Sequence, residues 1–191
     1  MTQTDKVSYI ARVHTASGRG DGFSTSDDGH LEIKLSVPCT LGTGTKYVFL
    51  GVPMVIRLSG KQTGGQFTLI EGTMPPGGDG GLHVHMQEDE SMYLLEGELD
   101  VTIGDESFIR HACESYFAPR GVPHRIRNRS SAPARSLVIH NPAGFDEFVR
   151  QAGIPQVAWI PGASASPEQL EHIVEVAASF GIKLLEPPGG E

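Results

Sequence analysis

Cysteine is scarce in this chain: Cys39 and Cys113 are its two thiols, far apart and in no CxxC pair. That excludes a disulfide-stapled scaffold and a thiolate zinc knuckle, and it suits two free thiols in a reducing compartment. Long apolar runs are also missing, so no segment reaches the length of a bilayer-crossing helix. The opening MTQTDKVSYIARVH lacks the charged-then-apolar layout of a secretory signal, and a cytoplasmic protein is the expectation. Positive charge is in deficit, with 15 Lys and Arg against 23 Asp and Glu. The resulting charge of −8 argues against nucleic acid or an anionic membrane as partner. Extended helical periodicity is nearly absent.

Glycine and proline, by contrast, are plentiful, at 24 and 13 residues. That composition suits short strands joined by tight turns. Residues 1–46 hold two candidate strands, VSYIARVH and HLEIKLSVP, on either side of a Gly/Ser/Asp-rich stretch, and LGTGTK follows as a joint. From 47 to 150, short apolar runs recur: YVFLGVPMVIRL, QFTLIEGTM, SMYLLEGELDVTI, SFIRH, SYFAP, HRIRN and SLVIHN. Gly97 and Gly104-Asp105 are candidate hairpin turns. Evenly spaced strands without helices between them predict an antiparallel sandwich or barrel. In the last segment, 151–191, SPEQLEHIVEVAASFGI predicts one helix, with Ser166 as N-cap, Pro167 in the first turn and Gly181 as the stop. Its apolar stripe is Leu170, Ile173, Val174 and Ala177, read as packing on the barrel or a second subunit.

The chemistry concentrates in GDGGLHVHMQEDESMYLLEG. Residues two apart on a strand share a face, so His83 and His85 point together and Val84 points away. Glu88 and Glu90 follow. Glu90 opens a strand whose face-mates are Met92 and Leu94, whereas Glu88 falls in the MQED turn, where water is expected, so Glu90 is preferred as the third ligand. His124 opens a further strand with Ile126 and Asn128 on its face, and Arg125, Arg127 and Arg129 on the other. Three imidazoles and one carboxylate suit a single divalent transition metal: Fe, Mn, Ni, Co or Zn. Of the remaining histidines, His140 is a reserve candidate at the end of a strand that could face the barrel mouth. Met74, Met92, Tyr93, Phe117 and Phe67 could supply an apolar pocket.

These residues resemble both motifs of the cupin superfamily. The first is Gly77, His83-x-His85, Glu90 and Gly97, and the second is Pro119-x-Gly121-x-x-His124-x-x-x-Asn128, with Cys113 where its opening glycine usually stands. The resemblance implies an all-β double-stranded β-helix over 47–150, with an N-terminal hairpin extension and a C-terminal helix. It implies a metal held by His83, His85, Glu90 and His124 inside the barrel mouth, and Glu90 as a catalytic base. The ligand set is similar to that of quercetin dioxygenases, which implies a dioxygenase acting on an aromatic or enol-bearing, flavonol-like substrate. A non-oxidative isomerase or cyclase of secondary metabolism, and a ligand-binding module without chemistry, are the alternatives. A homodimer is the expected assembly.

Residues 7–45 resemble the opening hairpin of the OsmC/Ohr thiol peroxidases, including Arg19 in a Gly-Arg turn. The helices that carry that family's reactive cysteines are absent and Cys39 is not at such a position, so peroxidase chemistry is not expected.

Overall fold

Strand propensity and tight turns produce the β architecture expected from sequence. In the computed structural model, the described residues are 13–17, 21–26, 32–36, 44–158 and 166–186. They fall into two units, Met1–Gly42 and Thr43–Glu191. Within the first, β1 (Val13–Ser17), β2 (Asp21–Ser26) and β3 (Glu32–Ser36) form an antiparallel meander. The expected two-strand hairpin is thus corrected to three strands. Asp21–Ser26, taken from its composition as loop, pairs with both neighbours, because ladder formation outweighs weak intrinsic propensity. Residues 7–12 and Arg19 lie outside the described residues.

The second unit has two antiparallel sheets. One contains β4 (Thr45–Phe49), β5 (Val52–Leu58), β6 (Thr68–Met74), β8 (Asp89–Glu96), β11 (Ser115–Ala118), β13 (Ala134–Asn141) and the short β14 (Ile154–Pro155). Its order is β11-β8-β13-β6-β5-β4-β14. The other contains β7 (Leu82–His85), β9 (Glu98–Ile103), β10 (Glu106–His111), β12 (His124–Arg127) and β15 (Ile182–Glu186), ordered β10-β9-β12-β7-β15. YVFLGVPMVIRL is therefore two strands. Leu50 and Gly51 both take positive φ, 49° and 78°, and close a two-residue hairpin between paired Phe49 and Val52. Leucine rarely adopts that conformation, which is why the sequence hid the turn. Gly104-Asp105 closes the β9–β10 hairpin as expected. Gly97 instead carries the chain from one sheet to the other: its φ is 86°, and a Cβ there would come within 2.8 Å of the Pro133 carbonyl oxygen.

Alternation buries one face of each strand. Met92, Leu94, Leu99, Val101, Tyr116 and Ile126 form one core cluster between the sheets. A second cluster joins Ile56, Ile70 and Ile182 to two helices, α1 (Phe145–Ala152) and α2 (Pro167–Ser179). The sequence pattern does not predict α1, because its eight residues form only about two turns and follow closely on a strand. α2 starts as predicted: the Ser166 side chain accepts from Gln169 N, and the Gln169 side chain completes a capping box. Of its stripe, Ile173 and Ala177 are buried, while Leu170 and Val174 face outward. The C-terminal segment is more than a helix, because β15 pairs with β7, the strand carrying His83 and His85.

Candidate metal centre

Three strands, β7, β8 and β12, aim four polar side chains into the space between the sheets. His83 and His124 sit opposite each other on β7 and β12, with ring centroids 4.3 Å apart. His85 stacks on His124 at 5.4 Å and 13°. Glu90 enters from β8 in the facing sheet, on the same inward row as Met92 and Leu94, and all three are buried. One donor atom from each of His83, His85, Glu90 and His124 lies within 4.8 Å of all the others. The four residues chosen from sequence are thus brought together.

Hydrogen bonds at the back of each ring set its orientation. His83 Nδ1 is 3.0 Å from the Gly81 carbonyl oxygen, and His124 Nδ1 is 3.2 Å from that of Val122. His85 Nδ1 lies 3.1 Å from Glu88 Oε2. When each Nδ1 donates its proton outward, the Nε2 lone pair faces inward. His85 Nε2 and His124 Nε2 are buried without hydrogen-bond partners, 3.8 and 3.6 Å from Glu90 Oε2. Buried ring nitrogens left in this way are costly unless something accepts their lone pairs. Donors bound to one ion at about 2.1 Å would lie up to about 4.2 Å apart, so small side-chain shifts close the set on a cation. The residues fit a divalent metal.

Glu88 is a correction. It was expected in water, yet it is 4% exposed and supports His85 from behind. Within the MQED turn the Glu88 side chain alone turns fully inward, and Gly144, just before α1, leaves room for it: a Cβ there would lie 2.6 Å from Glu88 Oε1. His140 and Tyr116 were not assigned to the site, although His140 was held in reserve. His140 is the register partner of Glu90, and its Nε2 is 3.0 Å from Glu90 Oε2 while its ring stacks on Phe145 at 3.9 Å. The Tyr116 hydroxyl donates to Glu90 Oε1. Tyr116 pairs with Met92, two residues from Glu90, and only knowledge of that register could have singled it out.

Electrostatics follow from this crowding. Burial, with the neighbouring His124 and His85 rings, lowers the His83 pKa from 6.5 to about 3. Burial also lowers that of His85. For His124 burial pulls down, but the Glu90 carboxylate outweighs it and the pKa is raised. Burial alone would raise Glu90, yet His124 and His140 hold its carboxyl well below the usual range. Tyr116 is pushed well above its ordinary value by burial and by Glu90, so it stays a donor.

Beside the cluster is a cavity of about 120 Å³, mostly apolar, reached by His83, Glu90 and His140 at its polar end. Met74 and Met92 line it as expected. Tyr93 and Phe117 do not: both project from the outer face of the sheet, 44% and 56% exposed, and Phe67 also lies outside the lining. The phase of β8 decides this, because Glu90 and Met92 point inward and Tyr93 must then point out. Arg125, placed opposite His124, is buried and clamped by Asp79 at 2.6 Å and Glu186 at 3.1 Å, which ties β15 to β12.

Two antiparallel sheets closed over an interior His/Glu cluster define a double-stranded β-helix. Residues 70–140 match the family model of the cupin domain, and the barrel is a cupin domain. The chain is similar to the tetracenomycin polyketide synthase protein TcmJ of Streptomyces glaucescens, 39% identical over 60 residues, or 31% of this chain and 40% of that protein. It is also similar to quercetin 2,3-dioxygenase of Bacillus subtilis, 29% identical over 92 residues, or 47% of this chain and 26% of that one. The chain therefore spans less than half the length of these two relatives. Among solved structures, a predicted oxalate decarboxylase from Thermotoga maritima aligns with a TM-score of 0.46 at 26% identity, covering 48% of this chain and 80% of that one. No helix among the described residues is long and apolar enough to cross a membrane.

Proposed function

We propose that the barrel is a metal-dependent dioxygenase acting on a small aromatic or enol-bearing molecule, with His83, His85, Glu90 and His124 as metal ligands. The observation that carries this reading is the convergence of four donors within 4.8 Å, two of them buried imidazole nitrogens with no other partner. A divalent ion held there would supply Lewis acidity and, if redox-active, a route for dioxygen to the substrate. The chain's own residues do the rest. The apolar wall excludes water from the substrate body, and the cluster receives its oxygen-bearing head. Glu90, gripped by Tyr116 and His140, is positioned to take a proton from that head, and His140 can carry charge away from Glu90 through their 3.0 Å contact. Similarity to the Bacillus dioxygenase supports this choice.

A second reading is a non-oxidative isomerase or cyclase. The Glu90–His140 pair, steadied by Tyr116, favours it, since a base that takes and returns a proton needs no oxidant, and the likeness to a polyketide synthase protein agrees. Metal-loaded protein assayed with and without dioxygen separates the two. The first reading requires turnover to stop under anaerobic conditions. Unchanged anaerobic turnover would replace it with the second. Metal and ligand binding with no product under either condition would leave a binding module.

A further inference from the structure

The cavity restricts what can reach the cluster. Its volume is about 120 Å³, on the scale of the roughly 150 Å³ apolar cavity that holds one benzene ring and well under the roughly 300 Å³ at which drug-sized sites begin. One ring matches the scale of this space, and a three-ring flavonol exceeds it. Beyond the polar end the walls are apolar, with one exception. Ser136 lines the cavity, is 8% exposed and has no hydrogen-bond partner for its hydroxyl among the described residues. It shares the inward row of β13 with Val138 and His140, about 13 Å along the strand from His140 at ~3.3 Å per residue. Its register partner on β6 is Gly72, which also lines the cavity. A Cβ at Gly72 would meet only the Ser136 hydroxyl, at 3.9 Å. The wall is thus hollowed at the point where a hydroxyl waits.

Building on the metal-site reading above, we infer that the substrate is a single-ring or similarly short molecule, with a chelating oxygen pair at one end and a hydrogen-bonding substituent at the other. Ser136 meets that substituent, and Gly72 provides the space beside it. Ser136 is a specificity residue on this account, because a buried hydroxyl rewards ligands that pair with it.

Three hydroxy-ketone chelators test this by anaerobic titration of metal-loaded protein: kojic acid, allomaltol and 3-hydroxyflavone. The first two differ by one hydroxyl opposite the chelating pair, and the third is enlarged to three rings. Kojic acid should bind at least tenfold more tightly than 3-hydroxyflavone. Ser136→Ala should weaken kojic acid about fivefold to tenfold and leave allomaltol unchanged. Gly72→Val should weaken both small ligands more than tenfold with metal affinity unaltered; if it folds poorly, Gly72→Ala should give the same ordering with smaller losses. Equal or tighter binding of 3-hydroxyflavone overturns the size limit. An equal effect of Ser136→Ala on kojic acid and allomaltol, or no effect on either, overturns the role of Ser136. Metal affinity is measured first, with a chromogenic competitor. Failure to bind metal sinks the site itself, whereas metal binding without discrimination sinks only this inference.

Discussion

Glu88 stands behind His85, its carboxylate 3.1 Å from Nδ1, and so decides which nitrogen of that ring faces Glu90. A carboxylate accepting from Nδ1 fixes the tautomer and makes Nε2 a better donor to a metal. Glu88, in the turn before β8, thus supports a ring from behind, while Glu90, inside β8, faces the cluster itself.

Replacing each one should separate those roles. Glu88→Gln should weaken metal affinity about tenfold to a hundredfold. Glu90→Gln should retain much of the metal and lose most activity, since the neutral amide can still ligate but cannot take a proton. Chelator competition and turnover, measured on both variants, give the comparison. Equal loss of activity with full metal retention in Glu88→Gln would reverse the assignment.

The metal site itself is checked by elemental analysis of protein purified without added metal. Near-stoichiometric metal is expected in the parent, with a loss of most of it in His83→Ala and His124→Ala. Unchanged metal content in both variants would remove the cluster from consideration.

Acid should destabilise the metal-free protein. His83 and His85 have folded-state pKa values below their unfolded value of 6.5, so the unfolded chain binds more protons as pH falls. Their contribution is complete above pH 6.5 and is lost on acidification towards about pH 3, the value for His83. Glu90 adds the same sign below its ordinary 4.5. His124 is opposed, its contribution being present below 6.5 and lost as pH rises. Below pH 6.5 the His124 contribution is already complete, so urea midpoints in excess chelator should fall between pH 6.5 and pH 5. The slope per depressed imidazole can reach about 1.4 kcal/mol per pH unit. A flat profile would contradict the buried, neutral state of these rings.

Cys113 occupies the place of the second motif's opening glycine, and its φ is 72°. The turn has kept glycine's conformation without glycine. Cys113→Gly should therefore stabilise the protein by about 0.5–1 kcal/mol, the relief of left-handed strain less the entropy of an added glycine. Chemical denaturation of the two proteins under reducing conditions measures the difference.

Much of the barrel was legible because its signals are local. Alternation around Glu90 and His124 gave both strand phase and ligand direction, and Ser166 through Gln169 gave the start of α2. The missed features depend on contacts distant in sequence. The Leu50-Gly51 turn breaks the usual residue preference and is held by the pairing of β4 with β5. Tyr116 and His140 reach Glu90 only through the register of β11 and β13 on β8. Glu88 looked solvated because a polar turn ordinarily is. Its burial is set by α1, which no sequence pattern announced.

The pairing of β15 with β7 has a consequence for biosynthesis. The histidine-bearing strand emerges from the ribosome long before the strand that flanks it, and the Glu186 partner of Arg125 arrives later still. Vectorial folding would leave this flank of the nascent barrel unpaired until residues 182–186 have been made. For a cation held by the four donors, capture would then be timed by the arrival of β15 rather than by the synthesis of the ligands.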